Sequence, residues 1–241
     1  MTVRRIAAFL LGASLVLGYA PFTQAWLVIP VLIAMLALTE PASASAAWRY
    51  GFYFGLGWFT AGLSWIYVSI DQFGGLPVIA TLAILLLLWK VSERWLGSFA
   101  IGVLPLCWLL AESLRGSLLT GFPWLELGYT QTESWLGAYA PWLGGMGVTV
   151  VLWLIAINVW LWYRHRHPLA AINSISLLAL PFILNALSPL QETGEQARVL
   201  LVQGNIEQSI KWDPDQHWQS LTTYLELSRP YYETHDLIIW P

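Results

Sequence analysis

The sequence predicts a polytopic α-helical membrane bundle followed by the opening strand, helix and strand of a water-soluble α/β layer. Three observations lead there. Hydrophobic residues make up 57% of the 241 and charged residues 10%, a balance outside the range of soluble globular domains. The charges are unevenly placed: eleven lie after Pro189 (Glu192, Glu195, Arg198, Glu207, Lys211, Asp213, Asp215, Glu226, Arg229, Glu233, Asp236) and fourteen before it. Finally, apolar runs approaching the roughly 20 residues needed to cross a bilayer core recur through the first part and stop before the last. The boundary falls near Ser188-Pro189, so residues 1–189 are expected to form the transmembrane domain and residues 190–241 the start of a second one.

About seven segments qualify as spans: Ile6–Ala20, Trp26–Leu38, Tyr50–Ser69, Leu76–Trp89, Leu96–Leu114, Gly144–Tyr163 and Leu169–Leu187. The first two are short and separated by Pro21–Ala25, which reads as a helical hairpin. Arg4-Arg5 with Ile6–Leu17 would also suit a signal peptide, but no small-x-small cleavage site follows and more spans come next, so an uncleaved first helix is expected. Alternate loops divide the basic residues unequally. Arg4, Arg5, Arg49, Lys90, Arg94, Arg164 and Arg166 fall on one side and Arg115 on the other. Basic loops stay in the cytoplasm, so the N-terminus is expected there and the tail on the opposite, periplasmic face. Trp26, Trp48, Trp89, Trp95, Trp142 and Trp162 fall at span ends, where aromatic rings favour the headgroup level.

The longest loop between spans, Arg115–Leu143, carries Gly121-Phe122-Pro123-Trp124, a turn inside an otherwise apolar stretch. Its backbone must be satisfied by protein or by water lining a cavity. A plain re-entrant turn and a lipid-facing gate are equally compatible with the spacing. In the tail, Val199–Val202, bounded by Gly204-Asn205, and Asp236–Trp240, closed by Pro241, read as buried strands. Between them Asp213 can N-cap a helix with Pro214 at N1 and Gln216 at N3, with Trp218, Leu221 and Leu225 on one face. A two-strand sheet cannot bury both of its faces. The tail therefore reads as a layer just begun, in an incomplete or truncated sequence.

With Gly121-Phe122-Pro123-Trp124 in a long loop, about seven spans, then VQGNIEQSIKWD and DLIIWP in order, the sequence resembles apolipoprotein N-acyltransferase. The extracytoplasmic domain of that bacterial inner-membrane family belongs to the nitrilase, or carbon-nitrogen hydrolase, superfamily. The resemblance covers the whole chain and makes the tail the first β-α-β portion of a nitrilase-like α/β sandwich. It implies two-step acyl transfer. A cysteine thiolate takes an acyl chain from a phospholipid, typically phosphatidylethanolamine, as a thioester. The N-terminal amine of a diacylglyceryl-cysteine apolipoprotein then attacks it. A glutamate would act as general base and a lysine would stabilise the oxyanion. By the resemblance the glutamate follows Trp240-Pro241 and the lysine and cysteine lie further on, so no catalytic residue is expected within the 241, which alone should be inactive. Trp212, Trp124 and Gly121 match family positions near the active site or the lipid-access side and are the expected substrate-binding residues.

Other candidates are weaker. Cys107, the single cysteine, sits mid-span among Leu104, Leu106, Trp108 and Leu109, an apolar setting that leaves a thiol inert. Glu112 and Arg115, three apart near the end of a span, can pair on one helix face and orient the turn. His165 and His167 alternate with Arg164 and Arg166 as a topology anchor, and His217 and His235 lack ligand spacing, so neither metal nor cofactor is expected. The expected partners are the phospholipid donor, the apolipoprotein acceptor and membrane lipids. A net charge of −3 without a basic run argues against nucleic acid. The competing reading, a lipid transporter or flippase with a short soluble extension, predicts paired interrupted helices in an internal repeat. The sequence has no such repeat.

Overall fold

The computed structural model describes residues 2–63, 101–117, 121, 123–190, 194–206 and 217–241. The expected span Leu76–Trp89, the site candidate Trp212 and the Asp213 cap lie outside them. The chain divides into two compact units, Met1–Pro189 and Leu190–Pro241.

The first unit is helical. Helix α1 (Thr2–Ser14) runs on into a 3-10 turn at Leu15–Gly18. A second 3-10 turn, Ala25–Leu27, leads into α2 (Val28–Thr39), whose Pro30 sits in the first turn, where a missing N–H costs nothing. Ser43 caps α3 (Ala44–Gly62) through its Oγ, which accepts from the Ala46 N–H at 3.3 Å. The close neighbour of α1 is α3, not the hairpin partner α2. A Cβ at Gly12 would overlie the Phe54 carbonyl and one at Gly57 would overlie the Phe9 carbonyl, so the two backbones touch where side chains are missing. Helix α4 (Leu104–Ser117) turns Leu104, Trp108, Ala111, Glu112 and Arg115 inward, the 3.6-residue period of one face. Helix α5 (Ala140–His165) breaks at Gly144 (φ +69°) and stops at Arg166, which adopts the left-handed conformation. Helix α6 (Pro168–Ala186) follows after a single turn, with Pro168 at its start.

Among the described residues, Trp135–His165 and Pro168–Ala186 are the helices long and apolar enough to cross a membrane, and Ala25–Thr39 is a shorter apolar one. The interior is built on tryptophan. Trp58 of α3 stacks on Trp108 of α4 at 5.5 Å, and Trp108 meets Trp153 of α5 at 5.1 Å between centroids. All three are buried. By contrast Trp26, Trp48, Trp142 and Trp162 are exposed, as rings of an interfacial belt would be. Trp89 and Trp95 lie outside the described residues.

In the second unit β1 (Val199–Leu201) pairs in parallel with β2 (Leu237–Ile239), Val199 opposite Leu237 and Leu201 opposite Ile239. Helix α7 (His217–Ser228) lies between them in sequence. The strands are not buried as expected: Val199, Leu201, Leu237 and Ile239 are exposed, while Leu200 and Ile238 on the other face are partly covered. One helix covers one sheet face. Nor is the inward face of α7 the expected Trp218, Leu221 and Leu225. Trp218 is 73% exposed, and Tyr224 and Ser228 are buried instead. Tyr224 stacks on Trp240 at 5.7 Å, and the Trp240 Nε1–H donates to Ser228 Oγ at 2.8 Å, so a specific aromatic and polar pair outweighed apolar spacing.

Candidate functional site

The inward face of α4 carries two ionisable side chains, Glu112 and Arg115, into an otherwise apolar interior. Burial of that kind is expensive unless each polar atom is matched. Glu112 Oε1 accepts from the Trp108 indole N–H at 3.1 Å, one turn back on the same helix, and from the Leu127 backbone N–H at 2.7 Å. Its Oε2 accepts from the Thr149 hydroxyl at 3.1 Å, and Thr149 Oγ1 in turn accepts from the Gly128 N–H at 2.9 Å. The Arg115 Nη1 donates to the Trp124 carbonyl, and its guanidinium lies over the Phe59 ring. Tyr19 at the end of the first helical segment donates to the Leu125 carbonyl at 3.1 Å.

Four side chains from three separate segments thus hold the backbone of the Gly121–Gly128 turn at Trp124, Leu125, Leu127 and Gly128. This is the protein-supplied satisfaction that a turn inside an apolar stretch requires. Glu112 and Arg115 do orient the turn, but not as an ion pair. Among the described residues no ion pair joins them, because each is already drawn to a different backbone group of the loop. The turn itself is strained. Gly121 has φ +76°, and a Cβ there would overlie the Gly116 carbonyl. Leu125 adopts φ +60°, uncommon for a residue with a Cβ, and its side chain fills the space that Gly62 leaves open. Close packing also holds the far side, where a Cβ on Gly128 would overlie the Gly145 carbonyl just after the break in α5.

What the clamp presents is Trp124, 50% exposed, with Pro123 and Tyr129 also exposed beside it in sequence. Glu126 is buried next to the turn, and its charge is the chief reason that the Tyr129 hydroxyl is held above its ordinary range. Of the three expected binding residues, Gly121 and Trp124 therefore sit together on one constrained loop, and Trp212 is not described. Phe122 is likewise not described. Gly204-Asn205 acts as the strand-ending turn: a Cβ on Gly204 would press on the Tyr224 ring, and Asn205 is left-handed at φ +49°. Cys107 is partly buried against the core. Among the described residues no group of three His, Cys, Asp or Glu side chains could hold a metal ion. The hydroxyl that meets the Glu112 carboxylate, Thr149, is fully buried and is itself tied to the Gly128 N–H, so what the cluster can do is position a surface. Sequence reasoning missed Tyr19, Glu126 and Thr149. Glu126 had a signal, as a charge just after the turn in a charge-poor stretch. Tyr19 and Thr149 had none, since only the fold carries them to the loop.

Residues 11–158 match the family described as apolipoprotein N-acyltransferase N-terminal domain. Proteins named apolipoprotein N-acyltransferase are similar to the chain: 35% identical in Shewanella oneidensis over 99% of this chain and 49% of the relative, 36% in Photobacterium profundum over 99% and 49%, and 38% in Nitrosomonas europaea over 93% and 48%. The chain spans about half the length of the curated relatives it matches.

Proposed function

The chain belongs to the apolipoprotein N-acyltransferase family, and from that premise we propose that it serves lipoprotein N-acylation as the membrane part of the machinery, presenting lipid to the acyl-transfer chemistry. In this reading a phospholipid gives up an acyl chain to a cysteine thiolate. The resulting thioester then passes the chain to the N-terminal amine of a diacylglyceryl apolipoprotein. An ester exchanged for a thioester keeps the acyl group activated for attack by an amine. The bundle of about seven spans lies in the bacterial inner membrane with its N-terminus cytoplasmic. Residues 190–241 begin a nitrilase-like domain on the periplasmic side.

The observation that carries this reading is the clamped turn. Two buried charges, a buried threonine and a tyrosine are committed to holding a strained loop whose product is a half-exposed tryptophan. Buried charge and backbone strain persist only where the surroundings over-determine them, and they gather at functional sites. Trp124 and Gly121 border the route of the acyl chain in this proposal, and Trp212 is the further substrate-binding residue that the family resemblance implies.

The test is a chimera in which this chain replaces the matching 49% of the Shewanella oneidensis relative. It is assayed for transfer of a labelled acyl chain from phosphatidylethanolamine to a diacylglyceryl-cysteine peptide. Acylation by the chimera, reduced about tenfold or more by Trp124→Ala on loss of a buried-edge aromatic contact, is the expected result. A chimera that inserts and folds but transfers nothing would sink the proposal.

A further inference from the structure

Glu126 is 9% exposed, yet its carboxylate is the least committed charge in the cluster. Glu112 divides its two oxygens among three donors. Arg115 is turned to the Trp124 carbonyl and the Phe59 ring. No ion pair joins Glu126 to Arg115 or to any other cation among the described residues. The Tyr129 hydroxyl feels its charge, and the carboxylate can accept about four bonds. Glu112 and Glu126 are two buried carboxyl groups beside the one guanidinium of Arg115. A carboxylate at the edge of an apolar interior is completed most strongly by a cationic donor. Trp124, two positions before it, and Tyr129, three positions after it, are both about half exposed, and aromatic faces favour a cation over an anion or a neutral group.

We propose that Glu126 is a specificity-determining residue that receives the primary ammonium of an amine-bearing lipid, as a phosphatidylethanolamine headgroup or the free N-terminus of a lipidated peptide would offer it. The inference rests on the reading of the turn as lipid-facing. A primary ammonium brings three N–H donors and a full charge to a carboxylate with open lone pairs. A quaternary ammonium brings the charge alone, and a glycerol headgroup brings no positive charge.

Lipid retention by the full chain in detergent, read by native mass spectrometry, separates these cases. Probes are phosphatidylethanolamine, its N-methyl and N,N-dimethyl derivatives, phosphatidylcholine, phosphatidylglycerol, and a diacylglyceryl-cysteine peptide with a free or an acetylated N-terminus. The wild-type chain is expected to retain phosphatidylethanolamine about tenfold better than phosphatidylcholine, the scale of one charge-assisted hydrogen bond, with a stepwise fall through the methylated series. Glu126→Gln is expected to level that series while leaving phosphatidylglycerol unchanged. The peptide arm assigns the amine: a free N-terminus preferred over the acetylated one, with a flat headgroup series, places the acceptor there instead of the donor. Retention of phospholipid with no preference in either arm overturns the role of Glu126 and leaves the lipid-facing turn standing. A preference that Glu126→Gln does not move overturns it as well. Failure to retain any phospholipid overturns both. The methylation series needs no variant, so the proposal stays testable should Glu126→Gln fail to fold.

Discussion

The two units of this chain solve the problem of buried polar groups in opposite ways. In the first, a carboxylate and a guanidinium are taken inside and tied to loop backbone and hydroxyl groups, with the Arg115 Nη2 left without a partner among the described residues, while tryptophan rings close the space around them. In the second, the charges of the described residues stay in water. Arg198 and Asp236 pair at 3.2 Å on the exposed flank of the two strands, and the apolar residues on one sheet face are left open, Leu201 by 73%. The difference teaches where function is to be sought. Buried charge is maintained only against a cost, so the first unit's network marks a place that something other than stability selected.

Breaking the packing that surrounds the network should have the largest effect. Trp153→Ala removes the ring against which Trp108 is held, and a loss of about 3–5 kcal/mol is expected, read as a lowered unfolding midpoint in detergent. Gly57→Ala puts a methyl group on the Phe9 carbonyl. Separating α1 from α3 should cost about 2–3 kcal/mol, and Gly57→Ser should do no better in the same melt. Glu112→Leu strips the Leu127 N–H and the Thr149 hydroxyl of their acceptor. About 2 kcal/mol is expected, and hydrogen exchange at Leu127 and Gly128 should rise while Glu112→Gln, which keeps an acceptor, raises it less. Equal exchange in the two variants would show that the clamp does not depend on the acceptor.

The same contrast can be sharpened in the second unit, where effects should be smaller. Ser228→Ala leaves the Trp240 indole N–H without its partner and should cost about 1 kcal/mol, seen in near-ultraviolet dichroism of the Tyr224 and Trp240 pair. The last test uses pH. The Arg198 side chain, then its backbone N–H, holds the Asp236 carboxyl below its ordinary range. Because the folded value is the depressed one, the stabilisation is complete above the unfolded value of about 4 and is lost as pH falls through the folded value. Amide exchange in β1, corrected for its intrinsic rate, should be unchanged between about pH 7 and 5 and rise only below about 4. Asp236→Asn should abolish that dependence. The effect is small because both partners are open to water.

Much of this molecule could be read from residue order alone. Apolar composition and the clustering of charge after Pro189 marked helices in the first part and a strand, helix, strand pattern in the second, because long apolar runs favour helices and short apolar runs bounded by turn residues favour strands. The GFPW turn was legible through its glycine and proline, and its need for donors and acceptors followed from backbone chemistry. Of the groups that answer that need, Glu112 and Arg115 were legible as charges near the turn, though not the separate backbone groups they meet. Tyr19 and Thr149 were not, since nothing near them in sequence sets them apart from an interfacial tyrosine or a mid-helix threonine. The inward face of α7 was misjudged for the same reason, since a Tyr224, Trp240 and Ser228 contact exists only once the strand is paired. Local patterns report what each segment must bury, whereas the partner of a buried polar group is chosen by which distant segment the packing brings within about 3 Å.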